Sequence, residues 1–505
     1  MPTRRDILRL AAASAAPVPA LPQSSRPSRP NILFLMDDQH RGDCLGADGN
    51  RSILTPNLDN LAADGARFRH AYTSTPSCTP ARAALLTGMS PWNHGMLGYG
   101  RIAVQYDFEK PRALAEAGYH AFSIGKNHFS NQRNPHGYHF TLLDESGRVE
   151  SPDFRSDYRS WFHSVAPNLD PDATGIGFND YPAKEYSLPE ELHPTQWTGD
   201  AAVRFLETYN RPEPFFLKVS FARPHSPYDP PARFMRQYDH AGIPEATVGG
   251  WAERYSARSS DKDDLWHGDL GAEQVRHSRQ GYYGNVQFID EQIGRIVDAL
   301  QQRGWYDETL IVFFSDHGDM LGDHNLWRKC YAYESSARIP MIVRWPSGLA
   351  TGERGAVHDQ PVELRDILPT FLDAAGVAPQ RELDGRSMLD VVRGKADDWR
   401  KWIDLEHDVC YSERNHWSAL TDGKEKYIFH ALDGEEQLFD LTRDPLEAKD
   451  LAGETAHAAA LKKWRDRLVA QFEREGRGDG FLKGGKLVPR PERQTYSPHY
   501  PEKRG

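Results

Sequence analysis

The chain has 505 residues, 39% hydrophobic and 26% charged, with a formal net charge of −11. That length supports a large core with a second, smaller unit, and the acidic balance argues against a general nucleic-acid binder. No apolar run is long enough to span a membrane. The four cysteines, Cys44, Cys78, Cys330 and Cys410, form neither a zinc spacing nor a disulfide scaffold.

Taken in order, the chain opens on Thr3-Arg4-Arg5-Asp6-Ile7-Leu8-Arg9-Leu10 and an Ala-rich stretch to Ala20. Twin arginines before a short apolar segment resemble a bacterial twin-arginine export signal, which implies cleavage near Ala20 and a periplasmic or secreted protein. A Pro/Ser-rich linker (21–30) leads to Asn31-Ile32-Leu33-Phe34-Leu35-Met36-Asp37-Asp38, an apolar run that reads as a buried strand. Its C-terminal end carries two aspartates, where open α/β sheets place their ligands. Residues 55–62 read as a capped helix. In Ser77-Cys78-Thr79-Pro80-Ala81-Arg82-Ala83-Ala84-Leu85-Leu86-Thr87-Gly88, Pro80 suits the first helical turn and Gly88 can end the helix. Cys78 then sits at a helix N-terminus, where the dipole favours negative charge, and Arg82 can share its side. Taken alone, this also describes a small buried thiol.

Further buried strands are expected at 121–124, 215–222, 310–315 and 341–345, with helices between them, including 197–209 and 285–303. The alternation predicts a mainly parallel sheet covered on both faces. Residues 145–195 and 224–280, rich in Pro, Gly, Asp and aromatics, read as long excursions that shape a pocket. Beyond residue 400 come short strand-like pieces at 409–413, 417–420, 426–430 and 437–441, then a helix near 455–473. This predicts a small antiparallel sheet with one helix. The expected organisation is a signal and linker (1–30), a catalytic domain (31–400) and a C-terminal subdomain with its tail (401–505).

The polar residues that matter follow strand ends. Asp37-Asp38 and the later Ser315-Asp316-His317 can converge on one hard cation, Ca²⁺ or Mg²⁺. Gly125-Lys126-Asn127-His128 follows the 121–124 strand. Arg223-Pro224-His225-Ser226-Pro227 follows the 215–222 strand, and its prolines stiffen the loop around the imidazole. Gly322-Asp323-His324-Asn325-Leu326-Trp327-Arg328-Lys329 closes the set.

Cys78-x-Pro80-x-Arg82 followed by Ala-Ala-Leu-Leu-Thr-Gly resembles the signature of the type I sulfatases, of the alkaline-phosphatase-like superfamily. The resemblance covers residues 31 to about 455. It implies that a maturation enzyme oxidises Cys78 to formylglycine before folding. It implies one Ca²⁺ held by Asp37, Asp38, Cys78, Asp316 and His317. Lys126 and His128 match Gly-Lys-x-His, His225 matches Pro-His-x-Pro, and Lys329 ends a match to His-Gly-Leu-Trp-Gly-Lys. Asn127 stands where an aromatic is common, and Asn325 and Arg328 replace glycines.

By that resemblance, Arg82, Lys126, Lys329 and the cation neutralise a sulfate ester, and the formylglycine hydrate attacks it, activated by Asp316 and the metal. His225 protonates the leaving alcohol, and His128 helps regenerate the aldehyde. The implied activity is hydrolysis of sulfate monoesters. Sulfated carbohydrates are the expected class, with Tyr99, Arg101, Trp161, His163, Arg414 and Trp417 as pocket candidates. Two rivals share these features: a phosphonate monoester or phosphodiester hydrolase, and a non-catalytic sulfoglycan-binding protein.

Overall fold

The computed structural model describes residues 29–149 and 151–502, so the twin arginines and Ala20 lie outside the described residues. An eight-stranded mixed sheet organises the chain. In spatial order its strands are Phe140–Leu143, His120–Gly125, Phe215–Pro224, Asn31–Asp38, Thr309–Ser315, Met341–Arg344, Ala66–Phe68 and Ala356–His358. The first five run parallel, and Met341–Arg344 runs against both of its neighbours. This is the expected α/β class, and each strand anticipated for this sheet lies within two residues of its expected bounds.

The central strand shows why the sheet needs two covers. Ile32, Phe34 and Met36 enter one core with Phe216, Val312 and Phe314, while Leu33 and Leu35 enter the other with Leu217, Ile311 and Phe313. Successive side chains of a strand point to opposite faces, so an unbroken apolar run must be buried on both. Each such fully buried side chain contributes about 1.5–3 kcal/mol. Helices Cys78–Thr87 and Ile367–Ala374 cover the first face, and Pro194–Thr208 and Ala272–Gln302 cover the second.

Helix Ala272–Gln302 begins 13 residues before the expected start at 285. Gly281 and Gly284 make its first half a poor helix on propensity alone. They are there for close approach. A Cβ on Gly281 would meet Tyr228 O at 2.9 Å, and one on Gly284 would meet Pro230 Cγ at 2.7 Å. The loop that follows His225 therefore packs directly on the helix backbone.

The C-terminal sheet is antiparallel, in the order Ile403–His407, Trp417–Thr421, Glu425–His430, Glu436–Asp440. Trp464, Leu468 and Phe472 of helix Ala458–Arg474 pack on it. One expectation is corrected. Residues 409–413 are not a strand: Tyr411 has φ +64°, and only an isolated Cys410–Ser412 bridge occurs there. The first strand is Ile403–His407, whose Asp404 and Glu406 conceal its pattern. Both acids are partnered, Asp404 by Arg365 at 2.6 Å and Glu406 by Arg477 at 2.6 Å. Among the described residues no helix is long and apolar enough to cross a membrane.

Candidate active site

Five segments meet at the C-terminal ends of the parallel strands. Asp37 and Asp38 end the central strand, Asp316 and His317 follow its neighbour Thr309–Ser315, and Lys126 follows His120–Gly125. His225 follows Phe215–Pro224 and sits between two cis X–Pro peptides. Cys78 is the first residue of a ten-residue helix in which every residue is buried. The preceding Ser77 is extended and makes no side-chain cap; its hydroxyl instead lies 2.9 Å from His407 Nε2.

The geometry is dense. Cys78 Sγ lies 3.2 Å from His317 Nε2 and 3.7 Å from Asp38 Oδ1. Arg82 donates from Nε to Asp316 Oδ2 (3.0 Å), from Nη2 to Asp38 Oδ2 (2.9 Å) and from Nη1 to the Lys126 carbonyl (2.7 Å). Lys126 Nζ meets the same Asp38 oxygen at 2.8 Å. Across the site, Lys329 Nζ lies 2.6 Å from His225 Nε2 and donates to Gln39 Oε1 at 2.8 Å. His225 Nδ1 faces the Ser226 carbonyl at 2.8 Å. A carbonyl only accepts, so Nδ1 carries the proton and Nε2 accepts from Lys329. Burial, Lys329 and Lys126 together hold the imidazole well below its usual range, in the neutral form.

His128 has φ +57°, and its Nε2 lies 3.3 Å from Tyr99 OH. The main-chain N–H groups of Asn127 and His128 both donate to Glu145 Oε1, which fixes this turn. Asn127 has a supporting role: its carbonyl oxygen accepts from Ser123 Oγ and from buried Lys218 Nζ, both at 2.8 Å. Asn325 (φ +57°) and Arg328 (φ +70°) adopt the left-handed backbone that favours glycine. The Asp319 carboxylate braces that loop, with Oδ1 accepting from the N–H of Leu321 (2.9 Å) and Arg328 (3.1 Å).

One ligand atom from each of Asp38, Cys78, Asp316 and His317 lies within 4.8 Å of the others, which makes a possible metal site. Asp37 stands outside that group in a telling way. Its Oδ2 is held by His40 Nδ1 at 2.7 Å, while its buried Oδ1 has no partner among the described residues. A buried carboxylate oxygen without a partner costs about 1–3 kcal/mol or more, which a cation would relieve. His317 Nδ1 points to the Gly318 carbonyl at 2.9 Å, so in the neutral ring Nε2 offers the lone pair. Burial raises the carboxyl of Asp37, and burial with Asp38 raises that of Asp316. Burial opposes ionisation of Asp38 too, but Lys126 and Arg82, with His317, hold it well below the carboxylate range.

Burial and Asp38 push the Cys78 thiol up, but Lys329, Lys126 and His317 outweigh them and lower it. Desolvation alone would lower His317, yet Asp316 and the Cys78 sulfur raise it to about 9. Three carboxylates (Asp37, Asp38, Asp316) face three fixed cations (Arg82, Lys126, Lys329). A divalent ion would turn this balance into a net positive pocket inside an acidic protein, able to hold an oxyanion.

Sequence reasoning missed Gln39, His40, Glu145, Lys218, Tyr228 and Asp319, all buried, which position the others. Their signal was proximity to the motifs: Gln39 and His40 directly follow Asp37-Asp38, and Asp319 follows Asp316-His317. Of the pocket candidates, Tyr99 and Arg101 line a cleft beside His128. Trp161 and His163 instead pack around Tyr158 and Phe162, Arg414 pairs with Glu435 and Asp433, and Trp417 lies buried in the C-terminal sheet. Cys330, His407 and Cys410 form a second cluster behind Ser77, with the Cys330 and Cys410 sulfurs 2.8 Å apart.

A mixed sheet with acids, a helix-N-terminal cysteine and fixed cations at its strand ends defines a hydrolase of the alkaline-phosphatase-like class. The sulfatase family model matches residues 30–377, and the chain belongs to that family. It is a sulfuric ester hydrolase. The model of the N-sulphoglucosamine sulphohydrolase C-terminal region matches residues 322–474. An arylsulfatase of Clostridium perfringens is 38% identical, over 91% of this chain and 97% of its own. A choline-sulfatase of Rhizobium meliloti is 32% identical (88% and 88%), and an N-acetylglucosamine-6-O-sulfatase of Bacteroides thetaiotaomicron 27% (90% and 88%). Among solved structures, the phosphonate monoester hydrolase of Agrobacterium radiobacter superposes with a TM-score of 0.75 at 26% identity, covering 92% of this chain and all of its own.

Proposed function

We propose that this sulfatase hydrolyses sulfate monoesters of carbohydrates outside the cytoplasm, after a formylglycine-generating enzyme has oxidised Cys78. The observation that carries the reading is the position of Cys78 Sγ. It sits 3.2 Å from His317 Nε2 and 3.7 Å from Asp38 Oδ1, within electrostatic reach of Lys126 and Lys329. Asp37, Asp38, Asp316, His317 and residue 78 would hold one cation, and the oxygen-rich set with its unpartnered Asp37 Oδ1 fits calcium. The bound cation supplies positive charge against the sulfate oxygens. The aldehyde hydrate at residue 78 supplies one hydroxyl to attack sulfur and a second whose deprotonation releases sulfate, which a serine or cysteine lacks.

The chain's own side chains do the rest. Arg82, locked by Asp38 and Asp316, holds residue 78 and the acids in register. Lys126 and Lys329 hold the sulfate oxygens and stabilise charge that builds on them. The hydrogen-bonded Lys329–His225 pair delivers one proton through Nε2 to the departing alcohol and regains it from solvent, while Lys126 keeps its charge on the sulfate oxygens. Neutral His128, which burial, Arg148 and Lys126 keep unprotonated, takes the proton that accompanies sulfate release. Residues 31–400 carry this site, and 401–505 form a subdomain that supports it. An N-acetylglucosamine-6-O-sulfatase among the relatives and an open cleft beside His128 support the carbohydrate class.

The likeness to a phosphonate monoester hydrolase favours one rival reading. The test is kcat/KM for a sugar sulfate, an aryl sulfate and a phenyl phosphonate monoester on protein matured with a formylglycine-generating enzyme. A sulfate-to-phosphonate ratio well above one is expected, and the reverse ratio would install the rival. Peptide mass spectrometry after hydrazide capture should find an aldehyde at residue 78. Unmodified thiol in fully active enzyme would remove the modification.

A further inference from the structure

A cleft of about 380 Å³ opens beside the sulfate-binding groups, within the range of small-ligand sites. Thr79, next to Cys78, lies in its wall, and so does His128. Tyr99, whose hydroxyl is 3.3 Å from His128 Nε2, joins it to the reacting centre. Its charge stands out in a chain of net −11. Arg101, Arg148 and Arg493 line it, and among the described residues no carboxylate does.

The three guanidiniums come from separate parts of the chain and are placed by the main chain around them. The Arg101 N–H donates to Tyr496 OH at 2.7 Å, and its carbonyl accepts from Tyr500 OH at 2.8 Å. Arg148 follows the turn fixed by Glu145 and pairs with that carboxylate. Arg493 is 62% exposed, 3.5 Å from Asp408, and stands beside Thr495, whose carbonyl accepts from Leu97 N–H at 2.8 Å. The C-terminal tail thus builds the far wall of the cleft.

We propose that this cleft is a subsite for a second oxyanion, a sulfate or a carboxylate, on the saccharide whose sulfate ester meets Cys78. The proposal rests on the sulfatase reading and narrows it to multiply anionic saccharides. Guanidinium forks match sulfate and carboxylate oxygens; Glu145 and Asp408 meet Arg148 and Arg493, but neither carboxylate is among the residues that line the cleft. A cationic alcohol such as choline would be repelled there.

The test compares kcat/KM for glucosamine-2-N,6-O-disulfate, a 6-O-sulfated glucosamine linked to a uronate, N-acetylglucosamine-6-O-sulfate and choline sulfate on the matured parent. The two dianionic saccharides should exceed the monosulfate by about tenfold, mainly through KM, and choline sulfate should be poorest. Which dianion leads identifies the group bound. In Arg101→Gln/Arg493→Gln the dianion-to-monosulfate ratio should fall toward one, and Arg101→Lys/Arg493→Lys should keep most of it. Added salt should shrink the parent's ratio. A parental ratio near one, a ratio that survives the double Gln variant, or a preference for choline sulfate would each overturn the subsite. A parent that cleaves phosphonates and no sulfate ester fails before any variant is made, and overturns the sulfatase reading as well.

Discussion

At the scale of single residues, Cys78 and Ser differ by one atom, yet the proposed chemistry separates them. Cys78→Ser retains one hydroxyl and lacks the second that releases sulfate. Its turnover should fall by several orders of magnitude, about 4 kcal/mol or more in barrier, in steady-state assays. Binding of a sulfated ligand, followed by calorimetry, should survive, because Lys126 and Lys329 remain. His225→Ala removes the proposed acid and leaves Lys329 Nζ facing a gap. Its loss should be larger for sugar sulfates than for activated aryl sulfates, whose leaving groups need no proton; equal losses would remove His225 from that role. Asp37→Ala should weaken calcium binding in elemental analysis, because it deletes the buried oxygen without a partner. Asp38, Lys126, His225 and Asp316 could be read as neighbours because each closes or directly follows a strand, whereas Cys78 opens a helix and Lys329 sits in a later loop, and those two stood out by their motifs alone. Gln39, Glu145 and Asp319 were not legible, because their task is to brace neighbours, and any acid or amide in a loop looks the same in one dimension.

Among the elements, helix Ala272–Gln302 carries the load between the sheet and the loop after His225. Its Asp290 is buried and accepts from the N–H groups of Asn57 (3.1 Å) and Leu58 (2.8 Å), at the start of helix Pro56–Ala63. Burial pushes this carboxyl up to about 6, although the hydrogen bonds pull it down. The folded chain then binds the proton more tightly than the unfolded chain, whose aspartate titrates near 3.8. The contribution of Asp290 is complete below pH 4 and is lost as pH rises through 6, by roughly 3 kcal/mol. Asp290→Asn should remove that slope. Denaturant melts of parent and variant from pH 4 to 7 should therefore converge at the acid end and part in the variant's favour at the neutral end. A pH-independent difference would place the effect elsewhere. This helix also shows where sequence reading stops. Gly281 and Gly284 lower propensity, and their reason lies in Tyr228 and Pro230, some 50 residues away in the chain. The strand Ile403–His407 was hidden in the same way, since the arginines that donate to its two acids are remote in the chain.

Across the whole molecule, the last described residues return to the active-site mouth. Tyr496 bridges Met96, Ser497 Oγ donates to the Trp92 carbonyl at 2.6 Å, and Tyr500 lies against Gly95. Nothing in the composition of the tail announced this, because Gly, Pro, Lys and Arg describe a surface segment and not its docking place. Gly95 is the point of closest approach: its φ is +90°, and a Cβ there would overlap the Tyr500 backbone. Gly95→Ala combines backbone strain of about 1–2 kcal/mol with that overlap, and the cheaper relief is to lift the tail. The variant should expose Arg490 and Arg493 to limited proteolysis and lower the preference for dianionic saccharides, since Arg493 and Tyr496 would leave the cleft. Aryl sulfate turnover should hold, because such a substrate reaches only the groups around Cys78. A tail that stays protected while the preference falls would mean that the cleft depends on the 95–101 turn itself. If protection and preference both stay at parental values, the tail is not held by its approach to Gly95.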